Sequence, residues 1–154
     1  METTDYTEEL LTLSAYDGSA EAEELYTESL RRELSFHYDN NSMYRRFCDT
    51  KGFNPQEWDG DIEKIPPVAV SVFKDLGSRL SSVPADDIKM SLQSSATSGV
   101  PSTIMVDKIT AKRQAKAMVR VMSEFIGKTR VPFLIMDIDP RAGGMARKML
   151  GARF

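Results

Sequence analysis

Polar and acidic residues dominate positions 1–19, and Asp17-Gly18-Ser19 has the composition of a turn, so this stretch reads as a polar lead-in. From Ala20 the pattern changes. AEAEELYTESLRRELSFHY places Leu25, Leu30, Leu34 and Phe36 near helical spacing among strong helix formers, which predicts an amphipathic helix. A second helix is expected to start near Asn41 or Ser42, either of which can accept backbone N–H groups as a cap. It carries Met43, Tyr44, Phe47 and Cys48 and should stop at Gly52. Phe53 to Pro67 is rich in turn formers and ends in two prolines, so it predicts an ordered connection without regular helix, pinned to the core by Trp58. Val68 to Lys74 mixes β-branched and aromatic residues, and its periodicity leaves a short strand and a buried helical turn both open.

Further on the rhythm sharpens. Ile88 to Ser94 alternates apolar and polar residues, and Thr103 to Asp107 resumes a strand-like composition after a loop of small residues. Thr110 is placed to cap a long helix from Ala111 to Ile126, with Ala115, Met118, Val119, Met122, Phe125 and Ile126 on one apolar face. Lys112, Arg113, Lys116 and Arg120 lie away from that stripe and read as a solvated basic face. Val131 to Asp137 is continuously apolar after a helix, which predicts a buried strand followed by a loop at Asp139 to Gly144. The fold class expected from this order is α/β, with N-terminal helices leading into a partial sheet that contains a strand-loop-strand unit.

The 154 residues are 41% hydrophobic and 28% charged, the balance of one globular domain, and the net charge of −3 sets up no strong attraction to nucleic acid or an anionic membrane. The single cysteine, Cys48, cannot close an intramolecular disulfide, and with His37 as the only histidine no Cys/His metal cluster exists. The acidic N-terminus is unlike a secretory signal, and no apolar run reaches the length of a membrane span. A cytoplasmic protein is the expectation from these features.

Candidate chemistry concentrates in the loop between the two expected strands, Ser94 to Ser102. Its serine and threonine hydroxyls can rotate toward phosphate oxygens, Gly99 allows an unusual backbone angle, and successive N–H groups in tight turns form anion-binding concavities. It has no lysine, so it is not the Walker pattern, and composition by itself also suits a plain hairpin connection.

The run LQSSATSGVPS, residues 92–102, resembles the SSGTTGxPS phosphate loop of adenylate-forming enzymes, with Ala96 in place of the first glycine, Ser98 in place of a threonine and Ser102 where many relatives have lysine. Upstream, Asn41, Tyr44, Cys48 and Gly52-Phe53, then Ile65-Pro66-Pro67-Val68-Ala69-Val70 and Phe73-Lys74, recur in the order seen in one branch of that superfamily. Together these motifs are similar to the acyl-protein synthetase family of the LuxE type, over about residues 23–137. Asp107, Arg113 and Gln114 fit the same pattern.

The resemblance implies an enzyme that activates a fatty acid or other carboxylate with ATP and Mg2+ as an acyl-adenylate, then moves the acyl group to a protein thiol for delivery to a reductase partner. It implies Ser94, Ser95, Thr97, Ser98, Gly99 and Ser102 as phosphate contacts, with Thr97 foremost. It implies no catalytic residue and no magnesium ligand in this chain, because the family's nucleotide motifs, catalytic lysine and acceptor cysteine have no counterpart here. The expectation is therefore the N-terminal part of such an enzyme, a truncated product or one piece of a split protein, inactive alone and prone to oligomerise or to associate with the missing part. An acyl- or aryl-CoA ligase and a non-catalytic assembly remnant are the alternatives. Outside the loop, Cys48 reads as an inert buried thiol, His37 as a surface or helix-end residue, Trp58 as a packing anchor, and Lys74 as a structural lysine with an amine in solvent. Asp137 and Asp139, at the end of the last expected strand, read as loop-capping carboxylates at a position where α/β sheets also gather ligands.

Overall fold

The computed structural model describes residues 4–94, 99, 101–132, 134 and 136, with the side chain of Ser78 excepted. These residues form a mostly helical, mixed α/β arrangement with a single two-stranded antiparallel sheet. They fall into two compact units, one built on Met1–Pro67 with Ile109–Lys128 and the other on Val68–Lys108 with the described residues from Thr129 onward.

In the first unit, the lead-in carries a short helix α1, Tyr6–Leu10, capped by the Asp5 carboxylate, which accepts the Glu8 N–H at 3.1 Å. Helix α2 spans Ala20–Asn40, and Ser19 caps it by accepting the Ala22 N–H. One residue, Asn41, separates α2 from α3, Ser42–Lys51, and its side chain accepts from the N–H groups of both Met43 and Tyr44. Helix α3 stops at Gly52, whose φ of 65° lies in the left-handed region that a Cβ disfavours.

The core of this unit lies where α2, α3 and the following connection meet. Leu34, Cys48, Phe53 and Trp58 are buried together, and Leu30, Tyr38, Phe47 and Ile65 pack around them. Trp58 pins the connection, as its position suggests. Its indole N–H donates to the Asp61 carbonyl at 2.7 Å, and the Arg31 guanidinium lies 5.4 Å from its ring centre. The connection itself holds only a 3-10 turn, Ile62–Lys64.

The second unit starts with a short helix α4, Ser71–Asp75, and 3-10 turns at Gly77–Leu80 and Ala85–Asp87. The choice left open at Val68 to Lys74 thus resolves to a helical turn, and Val68 and Val70 are exposed beside it, so the turn is not a buried one. Strands β1, Ile88–Gln93, and β2, Thr103–Asp107, then pair antiparallel from Gln93 opposite Thr103 back to Ile88 opposite Asp107. A register shift between Ile88 and Met90 interrupts the pairing. Val106, 2% exposed, is the buried anchor of the hairpin.

Three expectations are corrected. Helix α5 runs Lys108–Ile126, following directly on β2, so Thr110 lies inside its first turn and not at a cap. Its two faces also exchange the environments assigned to them. The apolar stripe is exposed, with Val119 at 64% and Phe125 at 72%, whereas Arg113, Lys116 and Arg120 of the basic face are half-buried and Lys112 alone stays exposed as expected. Arg113 donates to both oxygens of Asp5 at 3.0 Å and to Glu33 at 2.9 Å, and Lys116 donates to Glu8 at 3.0 Å. Residues three and four apart stack along one side of a helix, so Arg113, Lys116 and Arg120 form a single cationic edge matched to acidic α1. Hydrophobic periodicity gives the direction of the stripe correctly, but it carries no information about which face another element covers. Finally, Val131, Leu134 and Met136 are not in a strand, and Leu134 and Met136 are 90% and 91% exposed. A continuously apolar strand needs pairing neighbours and a layer on each face, and among the described residues β1 and β2 pair only with each other.

Candidate functional site

The loop of interest joins β1 to β2, so the hairpin register fixes where it begins and ends. Its base is closed by two reciprocal hydrogen bonds. The Ser94 N–H donates to the Ser102 carbonyl at 3.1 Å, and the Ser102 N–H donates to the Ser94 hydroxyl oxygen at 2.9 Å. The second bond uses one lone pair of Ser94 Oγ and leaves its O–H as a donor. Ser94 itself is exposed, while Ser102 is only 8% exposed. Ser94 is therefore open to solvent, and Ser102 lies under the loop it helps to close.

Gly99 has φ of 95°, and a Cβ built there would meet nothing within 4 Å. Backbone angle and not crowding selects glycine at that position, and the space around it is open to an approaching group. Ser95, Thr97 and Ser98, together with Ala96 and Val100, lie outside the described residues, as do Asp137 and Asp139. Of the six residues assigned to phosphate contact, the structure thus brings Ser94 and Ser102 into one clasp and sets Gly99 in the loop they close.

Lys74 is half-buried in α4, an element that adjoins β2. Gly77, in the turn after it, approaches Thr103, with 4.0 Å between its virtual Cβ and the threonine Cβ. The residues between Phe73 and Gly77 thus back the outgoing strand of the loop. That contact was not legible beforehand, because the short helix and turn that create it have no periodicity to read.

Elsewhere the assignments made from residue type hold. Cys48 is fully buried, and burial pushes its thiol above the ordinary range, with the hydrogen bond it shares with Tyr44 offsetting only part of that. The same burial, and then the same bond, push the Tyr44 hydroxyl up. His37 sits in the last turn of α2 with its ring against Phe36 and Tyr44. Among the described residues no group of three or more histidine, cysteine, aspartate or glutamate side chains could hold a metal ion. No helix among them is long and apolar enough to cross a membrane.

A β-hairpin closed at its base around a Ser/Thr/Gly loop defines a candidate anion-binding module, and comparison with known proteins gives it a family. The family described as acyl-protein synthetase, LuxE, matches residues 8–153, and the chain belongs to that family. It is similar to the long-chain-fatty-acid–luciferin-component ligase of Vibrio harveyi, with 30% identity over 93 residues, which is 60% of this chain and 24% of that protein. It is also similar to the enzyme of the same name from Aliivibrio fischeri, with 35% identity over 93 residues and the same shares of each chain. The matched segment thus spans about a quarter of each relative's length. No solved structure matches the chain significantly.

Proposed function

We propose that this chain supplies the phosphate-gripping hairpin of an ATP-dependent fatty-acid ligase, in which the fatty carboxylate is activated as an acyl-adenylate and then passed to a protein thiol for delivery to a reductase. The observation that carries this reading is the Ser94–Ser102 clasp with Gly99 at positive φ, in the loop whose sequence resembles the phosphate loop of adenylate-forming enzymes, in a chain that belongs to the acyl-protein synthetase family. In the activation step a carboxylate oxygen attacks the α-phosphorus of ATP, a C–O–P linkage forms and pyrophosphate leaves. The loop's part is to hold the β- and γ-phosphates in line and to stabilise the charge that grows on the departing pyrophosphate. Backbone N–H groups near Gly99 and the hydroxyls of Ser94, Ser95, Thr97 and Ser98 are the donors for that work. The buried Ser102 keeps the two strands closed beneath them.

Both relatives are named as ligases of long-chain fatty acids and a luciferin component, and the family's description as acyl-protein synthetase favours a protein acceptor over coenzyme A. Magnesium accompanies ATP in this reading. The test is binding of MgATP to the chain by calorimetry, together with carboxylate-dependent exchange of pyrophosphate into ATP by the gene product. Thr97→Ala is expected to weaken both by about tenfold, the effect of losing one hydrogen bond to a charged group. Unchanged binding and exchange in Thr97→Ala would remove the loop from the mechanism.

A further inference from the structure

The exposed stripe of α5 has a spacing narrower than ordinary amphipathicity requires. Ala111, Ala115, Met118, Met122 and Phe125 follow one another at alternating intervals of four and three residues, the seam of a two-stranded coiled coil. From Ala115 onward each of them is exposed, and Val119 and Ile126 widen the seam along one side, at 64% and 39%. Tyr16 stacks edge-on against Phe125 with ring centres 5.8 Å apart, which extends the patch while Phe125 stays 72% exposed. The other side of the helix is already engaged, since Arg113 and Lys116 are paired with carboxylates of α2 and of the lead-in with α1. A contiguous apolar patch of this kind marks an interaction surface.

The stripe is complementary to itself. Side-chain size rises along it, from alanine at 111 and 115 through methionine at 118 and 122 to phenylalanine at 125. Two copies laid parallel would press Phe125 on Phe125 and leave a void between facing alanines, and both faults are destabilising. Laid antiparallel about a two-fold axis near residue 120, Phe125 of one copy meets Ala115 of the other, and Met118 meets Met122. Each layer then joins a large side chain to a small one, or two of middle size, as a self-complementary two-fold interface requires. The flanks agree with this register. Val119 falls beside its own symmetry mate, as does Val121, and Ile126 lies beside the aliphatic stem of Lys112 from the other copy, so no like charges are brought together along the seam. Covering these side chains removes on the order of 500 Å2 from each copy, or about 1,000 Å2 in all, which reaches the lower bound for a specific interface.

We propose that α5 is a dimerisation surface, pairing antiparallel with α5 of a second copy of this chain. The proposal stands on the helix alone and does not draw on the phosphate-loop reading.

The test is sedimentation equilibrium of the whole chain over a concentration series, with circular dichroism to verify that each variant stays folded. A reversible monomer–dimer equilibrium in the micromolar range is expected. Phe125→Ala opens a gap at two layers, and Ala115→Phe sets two rings against each other, so each should weaken dimerisation at least about tenfold. Combined, the two changes invert those layers without altering their contents, and the double variant should return to within about threefold of the parent. Recovery of this kind is a signature that general loss of apolar surface does not give. A chain that stays monomeric throughout the micromolar range would overturn the proposal and leave the stripe to a different occupant. A dimer indifferent to Phe125→Ala would place self-association elsewhere on the molecule, and a double variant no better than the single ones would exclude the antiparallel register; either result overturns it as well.

Discussion

Asn41 bears more structure than its size suggests. It is 5% exposed, it ends α2, and its side-chain oxygen accepts two N–H groups that start α3. Asn41→Ala would leave both donors without that partner, so a loss of about 1–2 kcal/mol is expected in denaturant unfolding. Gly52→Ala should cost about 1 kcal/mol for a different reason, since the new Cβ meets no atom within 4 Å but must adopt φ of 65°. A Gly52→Ala variant as stable as the parent would mean that the helix end can rearrange. Both positions were legible in the sequence because capping is local chemistry, decided within a few residues along the chain. The same holds for the buried thiol of Cys48 and the anchoring Trp58, whose residue types alone favour burial. Arg120 was different. Its partners are carbonyls more than 100 residues earlier, and no spacing along the chain encodes that meeting.

At the scale of elements, the instructive case is α5 against α1. The sequence showed a helix with opposed apolar and basic faces, and the covered face proved to be the basic one. What decides this is the acidic partner, since α1 offers Asp5 and Glu8 while α2 adds Glu33. A polar lead-in without helical periodicity does not announce itself as a packing partner, so the pairing could not be read in advance. The arrangement should respond to pH. For Asp5, burial alone raises its carboxyl, but the Glu8 N–H and the Arg113 guanidinium together bring it below its ordinary 3.8. Glu8 is likewise lowered, first by its hydrogen bond to Lys116. A carboxylate depressed by folding stabilises the folded form above its unfolded pKa, and that contribution is lost as pH falls through the lower, folded value. The α1–α5 contact is therefore intact at neutral pH and is expected to fail in acid. The Glu8 amide shift, which reports the Asp5 carboxylate, should titrate with a midpoint below 3.8 and move upward in Arg113→Ala. A midpoint that stays where it is in Arg113→Ala would show that the ion pair does not form. Because these side chains remain partly exposed, salt should weaken the contact as well.

For the molecule as a whole, the two units differ in how much holds each together. The first buries a contiguous cluster around Leu34, Cys48, Phe53 and Trp58, whereas the hairpin of the second is anchored by Val106 and closed by the two serine bonds at its loop. A two-stranded ribbon with so little apolar burial among the described residues is marginal by itself, and marginal segments open locally well below the energy of global unfolding. This suits the proposed role of a loop that admits and releases a polyphosphate, and it separates what the sequence made plain from what it did not. The strands and the small-residue loop were visible as alternation and composition, but the thinness of their support was not, because it depends on what else packs there. Amide hydrogen exchange should therefore be faster for Met90–Gln93 and Thr103–Val106 than for the core-facing turns of α2 and α3. If the clasp holds phosphate, saturating MgATP must slow exchange in the hairpin selectively, since a ligand that binds only the closed form stabilises it by mass action. Hundredfold saturation is worth about 2.7 kcal/mol, or about a hundredfold slowing of exchange through local opening. Equal protection of hairpin and helical core in the free chain would contradict the assignment of unequal stability, and a hairpin indifferent to MgATP would show that the loop's shape serves the fold and not the nucleotide.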